Sequence, residues 1–245
     1  MGSGYYAACA GLAARSQALD VAASNLANAG TAGYRAEWDY FRSALLGPNA
    51  ADSQLDETVN NFGVLGGSRL DLGQGALTPT GNPLDLAIEG DGFFAIQTKQ
   101  GVRYTRDGEF ERAQDGTLAT QAGEPVLDAK EQPIRLPAGE TGVGADGAVS
   151  VNGAIAGRIG IFSLGSGDAL TAEGGNRYAA AAGTKPAAGT GTIREGALEA
   201  SNQNAVEGSL QLVLMQRQAE MMQKAVSMFS NDMDKTASED LPRVP

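Results

Sequence analysis

The chain of 245 residues contains no histidine. That removes the commonest general base and the commonest zinc ligand together. Cysteine is nearly absent as well. The single Cys9 cannot form an intrachain disulfide, and neither a four-cysteine nor a two-cysteine, two-histidine zinc site can be assembled. Cys9 reads as a small apolar residue on a helix. Aromatic residues are 6% of the chain, so a core has to come from Leu, Val, Ile, Ala and Met. No run approaches the ~18 apolar residues that span a bilayer. The opening "MGSGYYAACAGLAAR" lacks the basic start of a secretory leader, so any export is expected to proceed without a cleaved signal peptide. Positive charge is scarce: 18 Lys and Arg stand against 29 Asp and Glu, a net charge of −11. Such a chain repels phosphate backbones and anionic lipid surfaces, which argues against a nucleic-acid partner.

What is abundant is glycine, at 34 residues, which favours a turn-rich β protein. The pattern along the chain reads helix, irregular segment, β region, helix. Tyr5, Leu12, Leu19 and Leu26 fall seven apart, with Ala8, Cys9, Ala13, Ala22 and Ala23 between them. That spacing describes a narrow apolar stripe on a helix, suited to close helix–helix approach. Residues 31–72 form an extended linker in this reading. "YRAEWDYF" (34–41) offers a short strand, and "GPNAADSQLDETVNN" (47–61) a polar, mobile stretch.

From about 73 to 165 the period changes to two, within a β domain taken to run from 73 to 196. Leu84, Leu86 and Ile88 alternate with Asp85, Ala87 and Glu89, and "FFAIQ" and "VRYT" follow. Asp91-Gly92, Asp107-Gly108, Asp115-Gly116, Asp146-Gly147 and Asn152-Gly153 punctuate the run. Such pairs favour type I′ hairpin turns, so an antiparallel β domain is predicted. Residues 165–192, rich in Ala, Gly and Thr, read as a loose return segment.

The final helix carries the clearest periodicity. Leu212, Met215, Ala219, Met222, Val226 and Phe229 recur at alternating steps of three and four, a coiled-coil seam. Asn204 followed by Glu207 resembles a capping box with Asn for Ser. The predicted fold class is therefore α+β. Helical segments at 1–30 and 197–240 pair as a coiled coil, with the antiparallel β domain between them.

No catalytic or cofactor motif emerges. Gly90-Asp91-Gly92 is followed by strand-like residues, so it is not a dinucleotide loop. Gly183-Thr184-Lys185 lacks the upstream glycine of a phosphate loop. Glu109 and Glu111 lie two apart on a strand, where a solvated face outweighs a glycosidase carboxylate pair. The reading is of a non-enzyme without cofactor, metal or small-molecule substrate. A β binding module with helical oligomerisation arms is an alternative, weakened because the only tryptophan, Trp38, lies outside the β repeats.

"LDVAASNLANAGTAGYR" (19–35) resembles the N-terminal signature of bacterial flagellar rod and hook proteins. Leu19, Asp20, Asn25, Leu26, Ala27, Asn28, Thr31, Gly33, Tyr34 and Arg35 fill its pattern. "TGNPLDLAIEGDGFF" (80–94) and "YTRDGEFER" (104–112) resemble the central signature, and "GALEASNQNAVEGSLQLVLMQRQAEMMQKAVSMF" (196–229) the C-terminal one. The resemblance implies an inner layer of paired terminal helices, an outer β domain, and stacking of many copies into a hollow rod of the flagellar basal body. It implies as partners other copies of the chain, other rod proteins and the flagellar export apparatus. The length leaves no room for the enlarged outer domain of hook proteins. The C-terminal run is nearer the proximal-rod type than the distal-rod type. In that setting Leu12, Leu19, Asn25, Leu26 and Asn28 are expected to serve helix packing and assembly, the amides fixing register between subunits. Asn28 also suits a helix C-cap, and Gly30 and Gly33 the exit from the helix.

Overall fold

The computed structural model describes residues 2–42, 64–165 and 170–240. The polar stretch 47–61 lies outside them. Helix α1 spans Gly2–Ala27 and helix α2 Ala205–Asp240. The strands between them begin with β1 (Glu37–Arg42), β2 (Val64–Leu70), β3 (Leu77–Pro79), β4 (Leu86–Glu89), β5 (Phe93–Thr98) and β6 (Gly101–Thr105). They continue with β7 (Phe110–Arg112), β8 (Leu118–Thr120), β9 (Thr141–Val143), β10 (Ala148–Val151), β11 (Ala154–Arg158) and β12 (Ile161–Ser163). The last are β13 (Leu170–Ala172), β14 (Tyr178–Ala180), β15 (Ala187–Ala188), β16 (Thr192–Glu195) and β17 (Ala197–Glu199). A mostly β region thus lies between two terminal helices.

Strand β5 sits inside a six-stranded sheet of order β13-β14-β6-β5-β12-β15. Its side chains alternate between two cores, as a period of two requires. Phe94 and Ile96 join Leu86, Ile88, Phe110 and Val149 in one buried cluster. Phe93 and Ala95 join Tyr104, Leu127, Phe162 and Tyr178 in the other. Phe94 meets Phe110 edge to face at 5.1 Å. Each fully buried side chain of this size contributes about 1.5–3 kcal/mol. The strands themselves are short, so these clusters hold the β region together. β5 pairs antiparallel with β6, from Phe94 opposite Thr105 to Thr98 opposite Gly101.

Two expectations need correction here. The stretch 165–192 is not a loose return, because it carries β13, β14 and β15. Leu170 and Tyr178 anchor it in the second core, and Tyr178 pairs with Tyr104 across β14 and β6. Two large residues among many Ala and Gly leave too weak a pattern for sequence reading. The helical segment also begins later than residue 197. Residues Ala197–Glu199 form β17, paired with β3, and the helix starts at Ala205 with Asn204 just before it.

The turns differ in kind as well. Of the five Asp-Gly and Asn-Gly pairs, only Asn152-Gly153 has both residues at positive φ, 51° and 79°, as a type I′ hairpin needs. At the Asp-Gly pairs among 107–147 the aspartate instead accepts a backbone N–H two residues on. Asp107 accepts from Glu109, Asp115 from Thr117 and Asp146 from Ala148. The Thr117 N–H and hydroxyl hold the Asp115 carboxyl below its usual range.

Two units emerge. One comprises residues 27–36 and 69–205, the β region with its flanking segments. The other comprises 1–26, 37–68 and 206–245, which include both helices and β1.

Candidate functional site

The quoted signatures converge inside the β unit. Glu199, at the end of β17, is fully buried, and its carboxylate receives three donors. Arg35 donates from Nη2 to Oε1 at 2.7 Å, and Gly75 donates its N–H to the same oxygen at 2.8 Å. Arg106 donates from Nη1 to Oε2 at 3.0 Å. Arg35 comes from the N-terminal signature, Arg106 from "YTRDGEFER" and Glu199 from the C-terminal block. Arg106 also donates to the carbonyls of Ile88 (3.2 Å) and Gly90 (2.6 Å), within the "LAIEGDGFF" run. Its guanidinium lies 5.3 Å from the centre of the Phe93 ring.

Two cations share one carboxylate, so the cluster keeps an excess positive charge away from water. Carbonyl oxygens and the Phe93 π face disperse part of it. Arg35 Nε and Nη1 and Arg106 Nε are buried without a hydrogen-bond partner. Burial pulls Arg106 below its ordinary pKa, a shift opposed by Glu199 and reinforced by Arg35.

Backbone bonds surround the cluster. The N–H of Gly33 donates to the Glu199 carbonyl at 2.6 Å, and the N–H of Asn202 to the Tyr34 carbonyl at 3.2 Å. The Asn202 amide accepts from the Ala36 N–H at 2.7 Å and donates to the Asp71 and Gly73 carbonyls. The Arg35 N–H donates to the Tyr178 hydroxyl, which donates to Asn176, whose amide donates to the Ala32 carbonyl. The segment leaving α1, the segment entering α2 and the strand region at 71–75 are thereby fastened at one place. Gly33 has φ of +65°, and a Cβ there would lie 2.2 Å from the Arg106 carbonyl carbon. Only glycine fits. Gly30 has ordinary φ and open space around it, so it does not shape the exit.

The amides of the first signature are engaged within the chain. Asn25 is buried and pairs with both polar groups of the Glu37 backbone. It donates to the carbonyl at 2.8 Å and accepts from the N–H at 2.9 Å. Such a pair imitates a neighbouring strand and fixes α1 against β1. Asn28 accepts backbone and hydroxyl bonds from Thr31, closing a turn just after α1. Neither is left over as the unmet polar group that would set register with another subunit.

On α1 the deepest line is Ala14, Ala18, Ala22 and Asn25, between 4% and 7% exposed. Leu12, Leu19 and Leu26 flank it, half-buried. Small residues occupy the line of closest approach, displaced from the leucine spacing seen in the sequence. On α2 the described seam residues Leu212, Met215, Ala219, Met222 and Val226 are all half-buried. Phe229 lies on α2, but its side chain is outside the described ones. Periodicity pointed to a helix at each end of the chain, and both are present. It did not reveal Arg106, Glu199 or Asn202, although each carries polarity into a region of apolar strands.

Catalytic candidates remain apart. Glu109 accepts a bond from the Gln121 amide, and Glu111 is exposed. Among the described residues, no group of three or more His, Cys, Asp or Glu side chains could hold a metal ion. None of the described helices is long and apolar enough to cross a membrane.

Comparison with known proteins gives concordant matches. Residues 6–35 match the family described as "Flagella basal body rod protein", and residues 87–151 match "Flagellar hook protein FlgE/F/G D1 domain". The chain is 36% identical over 226 residues to the flagellar basal-body rod protein FlgF of Rhizobium meliloti, covering 89% of each chain. It is 34% identical over 216 residues to FlgF of Mesorhizobium japonicum, covering 86% of this chain and 87% of that one. To the flagellar basal-body rod protein FlgG of Bacillus subtilis it is 32% identical over 222 residues, covering 81% and 84%.

Proposed function

The chain belongs to the flagellar basal-body rod protein family, and from that premise we propose how its two units divide the work of a rod subunit. It is a structural subunit of the rod, of the FlgF kind in preference to the FlgG kind. Helices α1 and α2 pair as a coiled coil and form the inner layer of a hollow shaft. The β unit faces outward. Copies stack with one another and with other rod proteins, enclose the channel used by the export apparatus, and transmit torque. The subunit performs no chemistry.

One observation carries this reading. The seam of α2, at steps of three and four from Leu212 to Val226, is only half covered within a single chain. A half-covered apolar seam is suited to completion by neighbours. A charge placed in it would be stranded on assembly, at a cost of several kcal/mol.

Leu212→Asp and Met222→Asp are therefore expected to abolish motility while the β unit retains its melting transition. Complementation of a deletion strain, together with circular dichroism on the purified variants, makes the comparison. Normal swimming with either substitution would refute the inner-layer assignment.

A further inference from the structure

Helix α2 is apolar on two opposite sides. The half-buried seam described above is one of them. Opposite it lie Val206, Leu210, Val213, Met221 and Met228, exposed by 71%, 64%, 48%, 62% and 62%. With Arg217 and Lys224 they recur at steps of four, three, four, four, three and four. At 3.6 residues per turn that is a continuous stripe. Met215 on the inner seam and Lys224 on the outer one are nine residues apart, about two and a half turns, which places them on opposite sides.

Arg217 and Lys224 stand on the centre line of this outer stripe, seven residues apart and both exposed. Neither side chain makes a hydrogen bond or an ion pair with any described residue; the Lys224 carbonyl accepts from the Ser227 hydroxyl. Glu220 precedes Lys224 by four residues, the spacing and order that favour a pair on a helix surface, and yet no pair forms. Two cations without a carboxylate among the described residues are therefore set into an apolar band.

We infer that this outer stripe is a second seam, keyed by Arg217 and Lys224 to carboxylates on a second copy of the chain. The inference rests on the rod reading and adds the chemistry by which a neighbour is chosen. A wholly apolar partner would bury both cations unpaired, so it is rejected. A partner offering carboxylates at matching separation is accepted, and only in the register that aligns them with the two cations, about 10.5 Å apart along the helix. The chain is itself the fitting occupant. With 29 acidic and 18 basic side chains, a second copy presents an excess of carboxylates. The same negative charge turns away anionic lipid and nucleic acid.

The test uses the full-length chain in cells lacking the native subunit, reading its amount in isolated basal bodies. Four forms are compared: wild type, Arg217→Glu with Lys224→Glu, Arg217→Gln with Lys224→Gln, and Arg217→Lys with Lys224→Arg. Incorporation should fall about tenfold or more for the reversed pair, fall less for the glutamine pair, and stay normal for the exchanged pair. The melting of the β unit should be the same in all four. Wild-type incorporation by the reversed pair overturns the keyed seam and leaves the rod reading intact. Loss in the exchanged pair, where charge is kept, also overturns it. Absence of the wild-type chain from basal bodies would instead defeat the rod reading itself. Purified chain is also mixed with phosphatidylserine–phosphatidylcholine vesicles. Binding by wild type that vanishes in the reversed pair would make the occupant a membrane and sink the proposal.

Discussion

Asp39, on β1, holds both carboxylate oxygens out of solvent with no hydrogen-bond partner. Burial first, and then the negative Glu37 on the same strand, push its pKa above the ordinary 3.8. The sign of the consequence follows from linkage. Below about 3.8 the side chain is protonated whether folded or not, and folding carries no penalty. As pH rises from there through the raised folded value, the unfolded chain gives up its proton first, and stability falls. Above that value the loss is complete and constant. Hydrogen exchange across residues 20–39 should therefore show protection declining from acid to neutral pH after correction for intrinsic rates. Asp39→Asn should flatten that profile and raise protection at neutral pH. A decline of the same size in the asparagine variant would mean another group is responsible.

At the level of elements, the connection from α1 to β1 separates what a sequence displays from what it hides. Helices α1 and α2 and the alternating strands were readable because their periods repeat over many residues. Gly30 and Gly33 looked equivalent in the sequence, both lying just past a helix. Only the fold distinguishes them, through the Arg106 backbone that comes in from 73 residues away to rest against Gly33. Gly33→Ala should destabilise the β unit by more than about 1 kcal/mol, from positive φ together with steric conflict. Gly30→Ala should stay within about 0.5 kcal/mol of wild type. Urea melts of both variants check the contrast, and equal losses would contradict the packing described. The role of Asn25 was hidden for a related reason. Its amide could serve a neighbouring chain or its own, and the backbone of Glu37 decides between them. The amphipathic pattern of α1 was also displaced, because periodicity weights leucines while close packing selects Ala14, Ala18 and Ala22.

Across the whole molecule, the Arg35–Glu199–Arg106 cluster is where distant parts of the sequence depend on one another. Removing the carboxylate leaves two buried guanidiniums without an anion. Breaking a buried pair in this way typically costs about 3–5 kcal/mol. Glu199→Ala should accordingly lower the stability of the β unit by that order, read from its urea midpoint. A change below about 1 kcal/mol would show that carbonyls and water suffice to hold both cations. None of this was visible from the sequence, since a buried charge looks like a solvated one until its neighbours are known. The division into units adds a mechanical consequence. The chain passes from one unit to the other after Leu26, Ala36, Ser68 and Ala205, four times in all. Three of the lengths of chain that meet those passages are clamped around the same carboxylate and the Asn202 amide. Within the β unit, a pull arriving along any one of these lengths is thus shared with the other two, as in a spliced rope, instead of running along one strand of polypeptide.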